Sequence, residues 1–184
     1  MALSEQQRHD FEVFVATRSA ALMRTAFLLT GRRADAEDLL QTTLAKVFLS
    51  WARIEDKGAV DAYARRTMTT TQISVWRRRK LDEIPTANVP EHAATDSPPE
   101  LHEDLWSALA KLPKRQRAVV VLRYYEDRSE AEAASLLGCS VGTIKSQSSK
   151  ALSKLRSTLI TSQPNFAQDP RLTLPSLPLA GDTP

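Results

Sequence analysis

Apolar residues recur at helical spacing in two long stretches of this chain, and a proline-bearing stretch with no such period separates them. In the first, Phe11, Phe14, Val15, Leu22, Ala26 and Leu29 predict one face of a helix, with Gly31 suited to its C-terminal turn. Asp35 then reads as an N-cap, with Glu37 and Asp38 in the first turn, where the helix dipole favours negative charge. The stripe Ala36, Leu40, Leu44, Val47, Phe48, Trp51 predicts a second helix. A break at Asp56-Lys57-Gly58 precedes a third, from about Val60 to Lys80. Between Asp82 and Glu100, Pro85, Pro90, Pro98 and Pro99 stand among small polar residues, which reads as a flexible tether. Period resumes with Leu101, Leu105, Ala108, Leu109 and Leu112. Pro113 opens a helix carrying Ala118, Val119, Leu122 and Tyr125 inward. A short helix from Ser129 to Leu137, a turn at Gly138-Cys139-Ser140 and a last helix from about Val141 to Leu159 complete the pattern. Only 5 glycines in 184 residues leave too few left-handed positions for a turn-rich β protein. The fold class expected is all-α: two small helical domains, residues 1–81 and 101–160, joined by a linker at 82–100. Residues 161–184, rich in Pro and Leu without period, read as a disordered tail.

The formal net charge is only +3, but the charge is bunched. Cations cluster in Arg77-Arg78-Arg79-Lys80 and again between Lys145 and Arg156; acids cluster at Asp35, Glu37 and Asp38 and between Glu91 and Asp104. A phosphate backbone responds to local charge density more than to the total. The single cysteine, Cys139, excludes an internal disulfide and a multi-cysteine zinc site, and reads as a small buried hydrophobe. His9, His92 and His102 lack metal-ligand spacing, so no metal and no cofactor are expected. The polar start, Ser4-Glu5-Gln6-Gln7-Arg8-His9-Asp10, is unlike a signal peptide. No apolar run is read as reaching the roughly 20 residues that cross a bilayer. A cytoplasmic protein without a membrane partner is the expectation.

Ser129 to Leu155 has the parts of a helix-turn-helix. Ala134 is small where two helices cross, and Gly138 can take the left-handed conformation of the turn. Leu137, Val141 and Ile144 supply apolar contacts between the helices, and Ser140 is placed to cap the second. That second helix turns Thr143, Lys145, Ser146, Gln147, Ser149 and Lys150 outward and has no acid from Val141 to Arg156. Such side chains serve phosphate contacts and base-edge reading in the major groove. In the first domain, the helix from Ala62 to Lys80 mixes aromatics, hydroxyls and cations. Cations follow a single-stranded backbone while aromatic and hydroxyl groups meet unstacked bases. No metal-ligand cluster, phosphate-cradling glycine loop or nucleophile–base pair is present, so an enzyme is not expected.

The whole pattern from about Phe11 to Leu159 resembles a bacterial RNA polymerase sigma factor of the extracytoplasmic-function group. Three stretches carry the resemblance. Asp35-Ala36-Glu37-Asp38-Leu39-Leu40-Gln41 resembles the region 2 helix that docks on the clamp of the polymerase β′ subunit. The helix from Tyr63 to Lys80 resembles the segment that melts and reads the −10 element. Leu112-Pro113-Lys114-Arg115-Gln116-Arg117, followed by the turn from Gly138 to Lys145, resembles region 4, which reads the −35 element. Gly142-Thr143-Ile144-Lys145-Ser146-Gln147 is especially similar to the actinobacterial SigE-like subgroup of this sigma-70 family.

The resemblance implies a protein that binds core RNA polymerase at the β′ clamp and β flap and directs initiation at particular promoters. Polymerase contacts would fall on Asp35, Glu37, Asp38, Leu39 and Gln41. Single-stranded −10 DNA would meet Tyr63, Arg65, Arg66, Thr70, Gln72, Trp76, Arg77, Arg78 and Arg79. Duplex −35 DNA would meet Arg115, Ser140, Thr143, Lys145, Ser146, Gln147, Ser149 and Lys150. An anti-sigma factor, common in the family, is a further partner it brings into view. Two departures stand out: Thr70 where many members carry asparagine, and Gln147 and Lys150 where many carry arginine. Lysine is less able than arginine to grip guanine with two parallel hydrogen bonds. The alternative from another class is a free-standing helix-turn-helix repressor or activator, whose first domain would serve dimerisation or effector binding.

Overall fold

The first helix begins where Ser4 and Gln7 exchange hydrogen bonds, each side chain accepting from the other's backbone N–H at 3.2 and 3.0 Å. In this computed structural model, which describes residues 3–82 and 103–162, that helix (α1) runs Glu5–Thr30. It stops because Gly31 turns left-handed (φ 86°) and returns its N–H to the Phe27 carbonyl at 2.8 Å. α2 (Arg33–Ser50) follows after a single extended residue, Arg32. Asp35 is therefore not the N-cap that the sequence suggested; it lies inside the first turn, where it still meets the positive end of the dipole. Ala36, Leu39, Leu40, Thr43 and Val47 form the buried stripe of α2. Trp51, in a 3₁₀ turn at Trp51–Arg53, closes the end of this layer. Phe11 meets its ring edge-on at 5.1 Å, and the Lys57 ammonium sits 4.7 Å from the ring centre. α3 (Val60–Asp82) completes the first lobe and buries Val60, Ala64 and Met68 one turn apart.

In the second lobe, α4 (Glu103–Ala110) and α5 (Lys114–Val120) flank Pro113, which stands at the N-cap of α5. α5 widens into a π-helical turn at Val121–Tyr125, closed by the Glu126 N–H on the Val121 carbonyl at 2.9 Å. The wider turn leaves Tyr124 and Tyr125 exposed, so Tyr125 does not point inward as its spacing had suggested. α6 (Glu130–Leu137) starts with a reciprocal Ser129–Glu132 box and ends at Gly138, left-handed at φ 63°. α7 (Val141–Ser162) packs Ile144, Ala151 and Leu155 inward. Val141, expected between the helices, is 40% exposed, and Cys139 is half-buried.

The two lobes do not stand apart. One apolar core runs from Leu22, Ala26 and Phe27 of α1 to Trp106, Leu112, Ala118 and Val121 of the second lobe. The Phe27 and Trp106 rings lie 4.5 Å apart. A smaller cluster of Val119, Leu122, Ala133, Ala134 and Ile144 holds the helix-turn-helix itself. Among the described residues α1 is long and apolar enough to cross a bilayer, which the sequence reading did not anticipate. Its C-terminal part, Leu22 and Thr25 to Thr30, is buried in the protein, which accounts for that composition. The expected flexible linker lies almost wholly, and the expected disordered tail mostly, outside the described residues.

Candidate nucleic-acid interface

Two helices present the chemistry that the sequence pointed to, one from each lobe. On α7, burial of Ile144, Ser148, Ala151 and Leu155 at spacings of three and four fixes which way the helix faces. Thr143, Lys145, Ser146, Ser149 and Lys150 are exposed on the other side, and Gln147 is half-buried at the boundary. The Ser140 hydroxyl accepts from the Thr143 N–H at 3.1 Å and lies 2.9 Å from the Thr143 hydroxyl. Ser140 is thus committed to capping α7. The Lys145 ammonium lies 3.8 Å from the Glu130 carboxylate, an exposed pair of small energetic weight that phosphate can displace. Arg115 stands exposed at the start of α5. No acidic side chain occurs along α7, so the charge on its outward face is all positive.

α3 sorts the other candidates. Tyr63, Arg66, Thr70, Ser74 and Arg77 are exposed and fall three or four residues apart, which sets them in one stripe along the helix. Ser74 was missing from the sequence-based set; its four-residue spacing from Thr70 is the signal that could have found it. Tyr63 is steadied by donating its hydroxyl to Ser50 at 3.0 Å. Arg78 is also exposed and Trp76 is half-buried, while the side chain of Arg79 lies outside the described residues. Two candidates are engaged within the protein instead. Gln72 is buried, as are its neighbours Thr69, Thr71 and Ile73, and the Thr71 hydroxyl accepts from Lys46 of α2 at 2.8 Å. Arg65 is turned into the protein, donating to Asp61 at 2.8 Å, Glu126 at 2.5 Å and Thr25 at 3.1 Å. Burial works against the charge of Arg65, but Asp61 and Glu126 outweigh it and hold its pKa above the ordinary value.

The acidic start of α2 also divides. Asp38 and Gln41 are exposed, Asp35 is half-buried, and Glu37 is paired with Arg33 at 3.0 Å. Leu39, expected to grip a partner, is only 4% exposed and belongs to the core. The apolar surface of this helix is supplied further on, by Leu49 at 75% exposure and Phe48 beside it. Asp38, Thr42, Ala45 and Leu49 share one exposed face at helical spacing.

Between the lobes, Trp76 and Arg77 of α3 face Arg115, Cys139, Thr143 and Gln147 across a cleft of about 220 Å3. The two candidate DNA-reading helices therefore border the same opening. Among the described residues no group of three or more His, Cys, Asp or Glu side chains is arranged to hold a metal.

Comparison with known proteins agrees in both lobes. Residues 14–81 match the model for sigma-70 region 2, and residues 102–155 match the model for sigma-70 region 4. The chain is 46% identical over 154 residues to an RNA polymerase sigma-E factor of Streptomyces coelicolor, covering 82% of this chain and 86% of that one. It is 31% identical over 170 residues to the ECF RNA polymerase sigma factor SigE of Mycolicibacterium smegmatis, covering 86% of this chain and 65% of that one. The fold is similar to that of the sigma factor RpoE of Bartonella quintana, solved in complex with the anti-sigma factor NepR. There the TM-score is 0.59 and the identity 28%, over 82% of this chain and 96% of that one. With both regions matched, in order, the chain belongs to the sigma-70 family of RNA polymerase sigma factors, in its extracytoplasmic-function group.

Proposed function

We propose that this chain is the promoter-reading subunit of a transcribing complex, docking on core RNA polymerase through α2 and engaging two DNA elements with separate lobes. The observation that carries the reading is the pair of acid-poor outward faces on α3 and α7. α7 offers Thr143, Lys145, Ser146, Ser149 and Lys150, with Arg115, to the major groove of the −35 duplex. α3 offers Tyr63, Arg66, Thr70, Ser74, Trp76, Arg77 and Arg78 to the unpaired −10 strand. Asp38 and Gln41, with Leu49 for apolar grip, form the face assigned to the polymerase β′ clamp; a second contact falls on the β flap. Residues 1–81 and 101–160 are the two working units, with 82–100 as the tether and 161–184 as a tail.

A free-standing repressor or activator is not the function, because region 2 has no place in that reading. The chain contributes recognition rather than bond-making; nucleotide addition belongs to the polymerase, and the working site is the cytoplasm, where polymerase and DNA meet. An anti-sigma factor is a further partner, as one is for the Bartonella sigma factor.

The test is transcription from fragmented genomic DNA by core polymerase with and without the chain, followed by sequencing of transcript 5′ ends. Discrete start sites sharing two upstream elements are expected only when the chain is present. A chain that binds one duplex site tightly but neither binds nor redirects core polymerase would overturn the reading.

A further inference from the structure

The cleft where α3 meets the helix-turn-helix joins two kinds of surface that phosphate contacts alone would not require. Its floor is apolar: Ile73, Val119 and Ile144 are buried there, with Leu137 half-buried beside them. Trp76, also half-buried, adds an aromatic wall. The rim carries three exposed cations, Arg77 from α3 and Lys114 and Arg115 from the start of α5, and no acid lines the opening. Arg77 lies over the helix-turn-helix turn, closer to Gly138 than a Cβ there would allow, so a bare left-handed glycine is what leaves room for the guanidinium. Among the described residues neither Arg77 nor Arg115 is held in an ion pair.

We propose that this cleft is a binding site for a small amphipathic anion, a planar apolar body bearing one carboxylate. Each half of such a ligand has its counterpart in the cleft. A guanidinium on the rim gives a carboxylate two parallel, charge-assisted hydrogen bonds. The Trp76 ring and the apolar floor take the planar body out of water. A bare phosphate would engage the rim and leave the floor wet, and a neutral hydrocarbon would cover the floor and leave the arginines without a partner. The volume of about 220 Å3 is below the roughly 300–1,000 Å3 of sites for drug-sized molecules, so the ligand is a one- or two-ring acid.

Arg77, Arg115, Thr143 and Gln147 border the cleft and are also residues assigned above to promoter DNA. A ligand seated there therefore competes with promoter for the same side chains. That consequence, unlike the site itself, rests on the reading of α3 and α7 given above.

Cys139 lines the cleft and is the only thiol of the chain, so it reports on occupancy. With the full chain, 2-naphthoate at about 1 mM is expected to slow alkylation of Cys139 by iodoacetamide about tenfold, for a Kd on the order of 0.1 mM. The neutral 2-naphthamide, and inorganic phosphate at the same concentration, are expected to slow it no more than about twofold. Backbone amide shifts should move at Ile73 to Arg77 and at Leu137 to Gln147, and they yield the same constant if the half-buried thiol reacts too slowly to follow. Arg77→Gln with Arg115→Gln is expected to weaken 2-naphthoate about tenfold. If that pair loses native helical circular dichroism, Arg115→Gln alone carries the test with a smaller loss. Equal slowing by the amide would reduce the cleft to an apolar crevice, and equal slowing by phosphate to an anion contact. Either result overturns the proposal, as does the absence of any response or equal binding by a folded variant and the parent. On a duplex bearing the −35 element found by transcript mapping, 2-naphthoate should lower affinity about tenfold. Protection of Cys139 with duplex binding unchanged keeps the site and refutes the assignment of Arg115, Thr143 and Gln147 to DNA. A chain that directs core polymerase to no start site refutes the sigma reading, and Cys139 still decides whether the cleft binds the anion.

Discussion

Gly31 shows how much one residue without a side chain can decide here. Its φ of 86° already disfavours any L-residue, and a Cβ would come within 3.0 Å of the Arg117 guanidinium that donates to the neighbouring Thr30 carbonyl. Gly31→Ala is therefore expected to cost about 1–2 kcal/mol from the backbone alone, and more through displacement of Arg117. Gly142 is the control: its Cβ would meet nothing nearer than Ser140 Oγ at 3.8 Å, inside a helix. Gly142→Ala should raise stability by about 0.5 kcal/mol. Urea unfolding of both variants gives opposite shifts in midpoint if the two sites differ as described. On the face proposed for the −35 duplex, Lys145 and Lys150 are expected to neutralise phosphates. Replacing both by alanine should flatten the plot of log affinity against log salt for a −35 duplex by about 2. An unchanged slope would remove them from the interface.

At the scale of elements, α6 begins on a carboxylate that acid can disarm. Its start depends on Ser129, whose N–H and hydroxyl both donate to Glu132, and these bonds hold the Glu132 carboxyl below its ordinary pKa. A group whose pKa is lower folded than unfolded stabilises the fold above its unfolded pKa, and that contribution fades as pH drops through the folded one. Glu132→Gln should therefore lose less thermal stability than the parent between pH 6 and pH 3, followed by melting temperature at each pH. An identical acid response in both proteins would show that the box does not matter to α6.

Much at this scale was legible in the residues. Ala36, Leu40 and Val47 of α2 and Ala134, Gly138, Ser140 and Ile144 of the helix-turn-helix stand where spacing and turn chemistry required. Spacing names the inward face of a helix but not what covers it, so Leu39 was assigned to a partner although the core covers it. The start of α2 was misjudged because Arg32 makes no side-chain cap, leaving Asp35 as the nearest residue with capping chemistry. The wider π-helical turn moved Tyr125 outward for a reason that a period of 3.6 residues cannot express.

The whole molecule was the least legible, because contacts between lobes obey no local spacing. Phe27 lies within α1 and Trp106 within α4, and nothing along the chain pairs them; yet they meet at 4.5 Å, and both are buried. Arg65 met a similar fate, read as a DNA contact from its place on a cationic helix and found instead against Glu126. These contacts make a prediction that two independent lobes would not share. Trp106→Ala removes a large buried ring and should cost about 3 kcal/mol in urea unfolding. Its sharper consequence is spatial. Amide hydrogen exchange should quicken in α4 and α5, and also at Leu22 to Thr30, because the missing ring uncovers the α1 surface on which it rests. Faster exchange confined to residues 103–162 would mean that the first lobe does not rely on the second for its protection. Quickening on both sides, with the rest of α1 unchanged, would mark a shared core as the physical link between the two DNA-reading units.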